Sequence, residues 1–95
     1  FPSPWPLLFL AFLSFSLPAA AGPDGRDAGA ALFAEGNAIY RQGRYDEALA
    51  RYVRAGKAGG DEGVLSYDRG NCLFRLGRYG EALHAYLTAE MLRPR

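Results

Sequence analysis

Residues 43–49 read GRYDEAL and residues 77–83 read GRYGEAL, so nearly the same seven letters return thirty-four positions later. Extending both stretches keeps the register without a gap. Gly36 and Asn37 match Gly70 and Asn71, Glu47-Ala48-Leu49 matches Glu81-Ala82-Leu83, Tyr52 matches Tyr86, and Ala55 matches Ala89. Self-similarity at one fixed spacing means one structural unit used twice, each copy burying an apolar face that it could not bury alone.

Within each unit the apolar residues recur at helical steps. Leu32, Phe33, Gly36, Ile39 and Tyr40 predict a helix over 28–41, and Tyr45, Ala48, Leu49, Tyr52 and Ala55 predict another over 45–58. Leu65, Cys72, Leu73 and Leu76 predict a third over 64–76, and Tyr79, Ala82, Leu83, Tyr86 and Ala89 a fourth over 79–92. A Gly-Arg pair separates the halves of each unit, and glycine just past a helix end supplies the left-handed backbone that stops it. The small residues Gly36 and Ala48, like Gly70 and Ala82, are expected where paired helices cross closely. The glycine-rich joint GKAGGDEG (56–63) is expected to shorten the second helix and loosen the angle between units. The fold expected is all-α: helical hairpins stacked into a solenoid fragment.

The pattern Gly36-Asn37, Tyr40, Gly43, Tyr45, Ala48, Tyr52, Ala55, repeated as Gly70-Asn71, Gly77, Tyr79, Ala82, Tyr86, Ala89 and Pro94, resembles the tetratricopeptide (TPR) repeat. The likeness covers about residues 29–95. It departs where Leu32 and Ser66 replace an early bulky aromatic and Gly60 replaces a closing proline. The words EGN…QGRYDEAL and GNCLFRLGRYGEAL also resemble the TPR component of bacterial aerotolerance (Bat-type) operons.

The TPR resemblance implies that the first helix of each hairpin lines a groove for a peptide or partner protein. That side would present Phe33, Asn37, Tyr40 and Arg41, then Tyr67, Asp68, Asn71, Phe74 and Arg75. Asparagine offers a donor and an acceptor to an extended backbone, arginine can meet a carboxylate, and aromatic rings supply contact area. The structural alternative is that Asn37 and Asn71 bond neighbouring helices while Phe33 and Phe74 belong to the stacking core.

Other polar residues read as structural. Arg44 and Arg78 sit beside helix ends, where a cation favours the carbonyl terminus of the preceding helix. Asp46, Glu47 and Glu81 open the second helices. His84 has no second histidine or cysteine near it in the repeat, and a surface position is expected. Cys72 aligns with the small Ala38, so a buried packing role is expected. Neither a glycine-rich phosphate loop after a strand nor metal-ligand spacing is present, so the reading is non-catalytic, without cofactor or metal.

Net charge +1 with pI near 8.1 gives no electrostatic footprint for nucleic acid. The charges are unevenly placed, and none precedes Asp24. Leu7–Leu17 is an apolar run followed by Pro18 and Ala19-Ala20-Ala21, the arrangement of a signal peptide and its cleavage site. The expected organisation is a signal segment over 1–21, a linker over 22–28, and repeats over 29–62 and 63–95. Export to the periplasm follows, with an uncleaved membrane anchor as the alternative and any membrane contact confined to that segment. The start at Phe1 without positive charge reads as truncation. The stop beside a repeat boundary leaves a second alternative: these units are the docking arm of a longer enzyme.

Overall fold

The structure, a computed structural model, describes residues 25–94. The signal or anchor segment lies outside those residues. Among the described residues, four helices follow one another: α1 (Gly25–Arg41), α2 (Tyr45–Lys57), α3 (Glu62–Arg75) and α4 (Tyr79–Leu92). Each packs on its neighbour in the chain, α1 on α2, α2 on α3 and α3 on α4. The all-α hairpin architecture expected from the period is therefore the one observed.

Three glycines stop three helices. Gly43, Gly59 and Gly77 have φ of 80°, 93° and 79°, conformations a Cβ disfavours. Around each, the amide of the residue beyond bonds back five residues, Arg44 to Ile39, Gly60 to Ala55 and Arg78 to Leu73. This closes the orphan carbonyls of the ended helix. The following helix starts almost at once, so α1/α2 and α3/α4 are antiparallel hairpins.

The helix limits differ from the sequence reading at the first helices. The chain is already helical at Gly25, inside the stretch read as a linker. Helix α3 begins at Glu62 rather than 64, because the Asp61 carboxylate caps it, accepting from the Val64 amide at 3.2 Å. Helices α2 and α3 each end one residue short of the expected limit.

The joint does not loosen the stack. A Cβ on Gly60 would lie 2.8 Å from Leu65 Cδ1 and 2.9 Å from Ala55 O, and one on Gly29 would lie 3.1 Å from Gly60 N. Glycine is used here because three backbone segments meet closely.

The core consists of Ala48, Tyr52, Ala55, Leu65 and Cys72, with Leu32, Phe33, Ile39, Tyr40 and Leu49 packed against it. It continues through Leu73, Ala82 and Ala85, with Leu49 and Tyr86 beside them. What fills the space over Gly36 is the Tyr52 ring, one turn beyond Ala48. A Cβ on Gly36 would come within 2.7 Å of that ring, and one on Gly70 within 2.6 Å of Tyr86. Gly36 and Gly70 therefore make room for a tyrosine ring of the second helix, and Ala48 and Ala82 are buried in the same hairpin cores.

Candidate functional site

The aromatic pairs repeat as faithfully as the letters. Phe33 meets Tyr52 with centroids 6.0 Å apart, and Tyr67 meets Tyr86 at 5.6 Å. Tyr40 meets Tyr45 edge-on at 5.0 Å, and Phe74 meets Tyr79 edge-on at 5.2 Å. Each first-helix aromatic thus leans on a ring of the second helix. Phe33 and Tyr40 are half-buried, whereas Tyr67 and Phe74 stay 45% and 54% exposed.

Both asparagines are bound inward. Tyr52 donates its hydroxyl hydrogen to Asn37 Oδ1 at 2.6 Å, and Tyr86 donates to Asn71 Oδ1 at 2.7 Å. The interhelical bond considered as the structural alternative is therefore present in both repeats. It leaves the amide N–H groups of both asparagines for another acceptor, and it fixes their orientation.

A notch of about 130 Å³ opens between α1 and α3, lined by Asn37, Tyr40, Arg41, Asp68 and Asn71, with Tyr52 beneath. Five residues predicted to face a groove thus converge. Asp68 is half-buried, and burial pushes its carboxyl above the usual range. Among the described residues it has no ion-pair partner. Arg41 is exposed at the rim, likewise without an ion pair.

The remaining candidates lie elsewhere. Phe33 lines a pocket of about 550 Å³ with Gly29, Ala30 and the joint, and Tyr67 lines one of about 660 Å³ beside Tyr86, Leu87 and Arg93. Val64 borders both. Phe74 and Arg75 line none of these three. The Arg75 guanidinium sits 5.5 Å over the Tyr45 ring, so it joins the two repeats. The periodicity marks Tyr45 and Tyr52 only as packing residues; the structure makes Tyr45 a platform for Arg75 and Tyr52 the floor of the notch. Their signal was in the sequence: Tyr52 and Tyr86 each follow an Asn by fifteen positions.

Arg44 and Arg78 turn out to serve the helix that follows them. They are the residues before α2 and α4, and their guanidinium groups pair with Glu47 and Glu81 one turn on. The pairing with Arg78 holds the Glu81 carboxyl below its usual range. Cys72 is fully buried and unbonded, its thiol pushed up to about 11, first by burial and then by the charge of Asp68. His84 is exposed. Among the described residues no group of His, Cys, Asp and Glu could hold a metal ion, and no helix is long and apolar enough to cross a membrane.

A family model described as the tetratricopeptide repeat matches residues 18–64 and again 33–94, together most of the chain. No curated protein and no solved structure matches significantly. Repeats of this kind generally mediate protein–protein interaction on a non-catalytic scaffold. The matched model, the thirty-four-residue period and the stacked hairpins agree, and the chain belongs to the tetratricopeptide repeat family.

Proposed function

We propose that the chain is a non-catalytic interaction module that holds a segment of a partner protein across α1 and α3. The observation that carries this reading is the notch in which Asn37, Tyr40 and Arg41 meet Asp68 and Asn71. Its two amide groups are oriented by tyrosine hydroxyls, so donors for a peptide carbonyl stand ready without ordering cost. Asp68 supplies an acceptor for a backbone N–H, and Arg41 a charge at the rim. The apolar pockets beside Phe33 and Tyr67 provide contact area for side chains.

Alanine at Asn37 or Asn71 would leave a tyrosine hydroxyl unpaired and confound binding with stability. The test therefore uses Arg41→Ala and Asp68→Asn, which keep those bonds. Peptides enriched from a random display library on the intact chain are titrated calorimetrically against both variants. A tenfold or greater rise in Kd, about 1.4 kcal/mol, is expected for at least one variant. Unchanged affinity in both would place the binding surface elsewhere.

The reading extends to an extracytoplasmic location, supported by the apolar run Leu7–Leu17 and the alanines after it. The mass of the chain recovered from cells tests this: cleavage after Ala21 fits a secreted module, and an intact N-terminus fits an anchored assembly factor. The narrower likeness to the Bat-type component is tested by the neighbouring genes.

A further inference from the structure

Helix α3 covers one face of α2, and the contacts are specific. Arg75 lies over Tyr45, Leu49 packs with the Leu73 cluster, and Leu65 and Cys72 sit among Ala48, Tyr52 and Ala55. Thirty-four residues on, α4 carries Tyr79, Leu83, Ala82, Tyr86 and Ala89 at the same positions. Ala82, Tyr86 and Ala89 pack on α3 from one side, but on the side where α2 receives α3, no helix among the described residues covers α4. Tyr45 and Leu49 are half-buried, whereas Tyr79 and Leu83 are 63% and 59% exposed.

The complementary half of this interface is also on the chain. Thirty-four residues back from Leu65, Cys72, Leu73 and Arg75 stand Ala31, Ala38, Ile39 and Arg41 on α1. Arg41 has no aromatic ring beneath it among the described residues, and Tyr79 has no cation above it. One end of the stack therefore holds the guanidinium and the other the vacant ring. Side-chain volumes trade in the same sense: Ala31 is smaller than Leu65, while Leu87, which lines the 660 Å³ pocket at that level, is larger than its counterpart Val53.

We propose that α4 of one copy of the chain receives α1 of a second copy, head to tail, in the arrangement that sets α3 on α2 within the chain. Arg41 of the incoming copy would lie over Tyr79, Ile39 would meet Leu83, and Ala31 and Ala38 would face Tyr86 and Ala89. The contact is heterologous, because the two copies use different faces. Repetition of it therefore gives an open series of copies rather than a closed pair.

The test is sedimentation velocity on the intact chain at rising concentration, with Leu83→Glu and Ala31→Glu as variants. Both positions are exposed, so the fold is expected to survive, which circular dichroism checks. Mass of the unsubstituted chain is expected to grow beyond a dimer. Each variant alone should associate at least tenfold more weakly. An equimolar mixture of the two should form a dimer containing one of each, because each retains one intact face. A mass that stays monomeric throughout overturns the proposal. So does a dimer abolished by Leu83→Glu but untouched by Ala31→Glu, which would mean α4 against α4, and so does association that survives both changes. Arg41 belongs to both readings, but neither substitution touches the notch and Asp68 lies outside the stacking contact, so peptide binding read with Asp68→Asn and self-association can fail separately.

Discussion

Tyr52 donates its hydroxyl hydrogen to Asn37 Oδ1 at 2.6 Å while its ring covers Gly36, so one side chain closes the first hairpin by a polar and an apolar contact together. Tyr86 does the same with Asn71 and Gly70. The two pairs differ in depth: Tyr52 is 2% exposed and Tyr86 only half-buried. A partly buried hydrogen bond contributes about 0.5–1.5 kcal/mol net, and an unpaired buried group costs more. Tyr52→Phe is expected to destabilise the chain by about 1 kcal/mol and Tyr86→Phe by less. In a double-mutant cycle of Tyr52→Phe with Asn37→Ala, a coupling energy near zero would show that the bond carries no stability.

Gly36→Ala tests the same contact from the other side. Alanine gains about 1 kcal/mol of helix propensity over glycine. Against this, the new methyl would stand 2.7 Å from a ring that is buried and held by its hydroxyl. Overpacking of that kind costs about 1–3 kcal/mol, so the clash is expected to win and the chain to lose stability. Gly70→Ala meets the less buried Tyr86 ring, which can give way, and a smaller loss is expected. Equal losses measured by urea unfolding would contradict the difference in burial.

Gly80 behaves in the opposite way. It lies in the first turn of α4 with nothing within 4 Å of a Cβ, and its counterpart in α2 is Asp46. Gly80→Asp removes backbone freedom from the unfolded chain and places an anion at the positive end of the helix. A gain of about 0.5–1 kcal/mol is expected, and a fall in the unfolding midpoint would refute it.

Cys72 is buried, with its thiol raised to about 11, so near pH 8 almost none of it is thiolate. The thiolate is the reactive form. A disulfide reagent is expected to label the native chain only as fast as it opens, and to label it at once in denaturant. Rapid stoichiometric labelling of the folded chain would mean that the α2–α3 interface opens readily.

The second helices were legible almost to the residue, because Gly43 and Gly77 announce the turn and Tyr45 and Tyr79 follow at a fixed distance. The start of α3 was not. Glu62 and Gly63 look like a continuation of the glycine joint, and Gly63 is helical under the aliphatic stem of Arg93, which pairs with Asp61 at 3.0 Å from thirty-two residues away. No local pattern reveals such a contact. The candidate site was half legible. Periodicity places Asn37 and Asn71 on the same side of successive hairpins, but which atom of each amide stays available depends on Tyr52 and Tyr86 from other helices. Arg75 shows the same limit: it reads as a free groove cation until the Tyr45 ring of the preceding unit is found beneath it.

Asp68 joins the site to stability. Burial raises its carboxyl pKa in the folded chain above the unfolded value, so folding favours the protonated form. Its contribution to stability is complete below the unfolded pKa and is lost as pH rises through the folded one. At neutral pH the charged carboxylate therefore opposes folding, as the neutral amide of Asp68→Asn does not. The variant is expected to unfold a few degrees higher than the parent at pH 7. That advantage should shrink as pH falls into the carboxylate range and vanish where Asp68 is protonated in both states. A melting point unchanged at pH 7, or a gain that persists at low pH, would show that the carboxylate is not held at a cost. Near neutrality the same variant is expected to gain stability and weaken peptide binding, the pairing of effects that marks a group kept for recognition rather than for the fold.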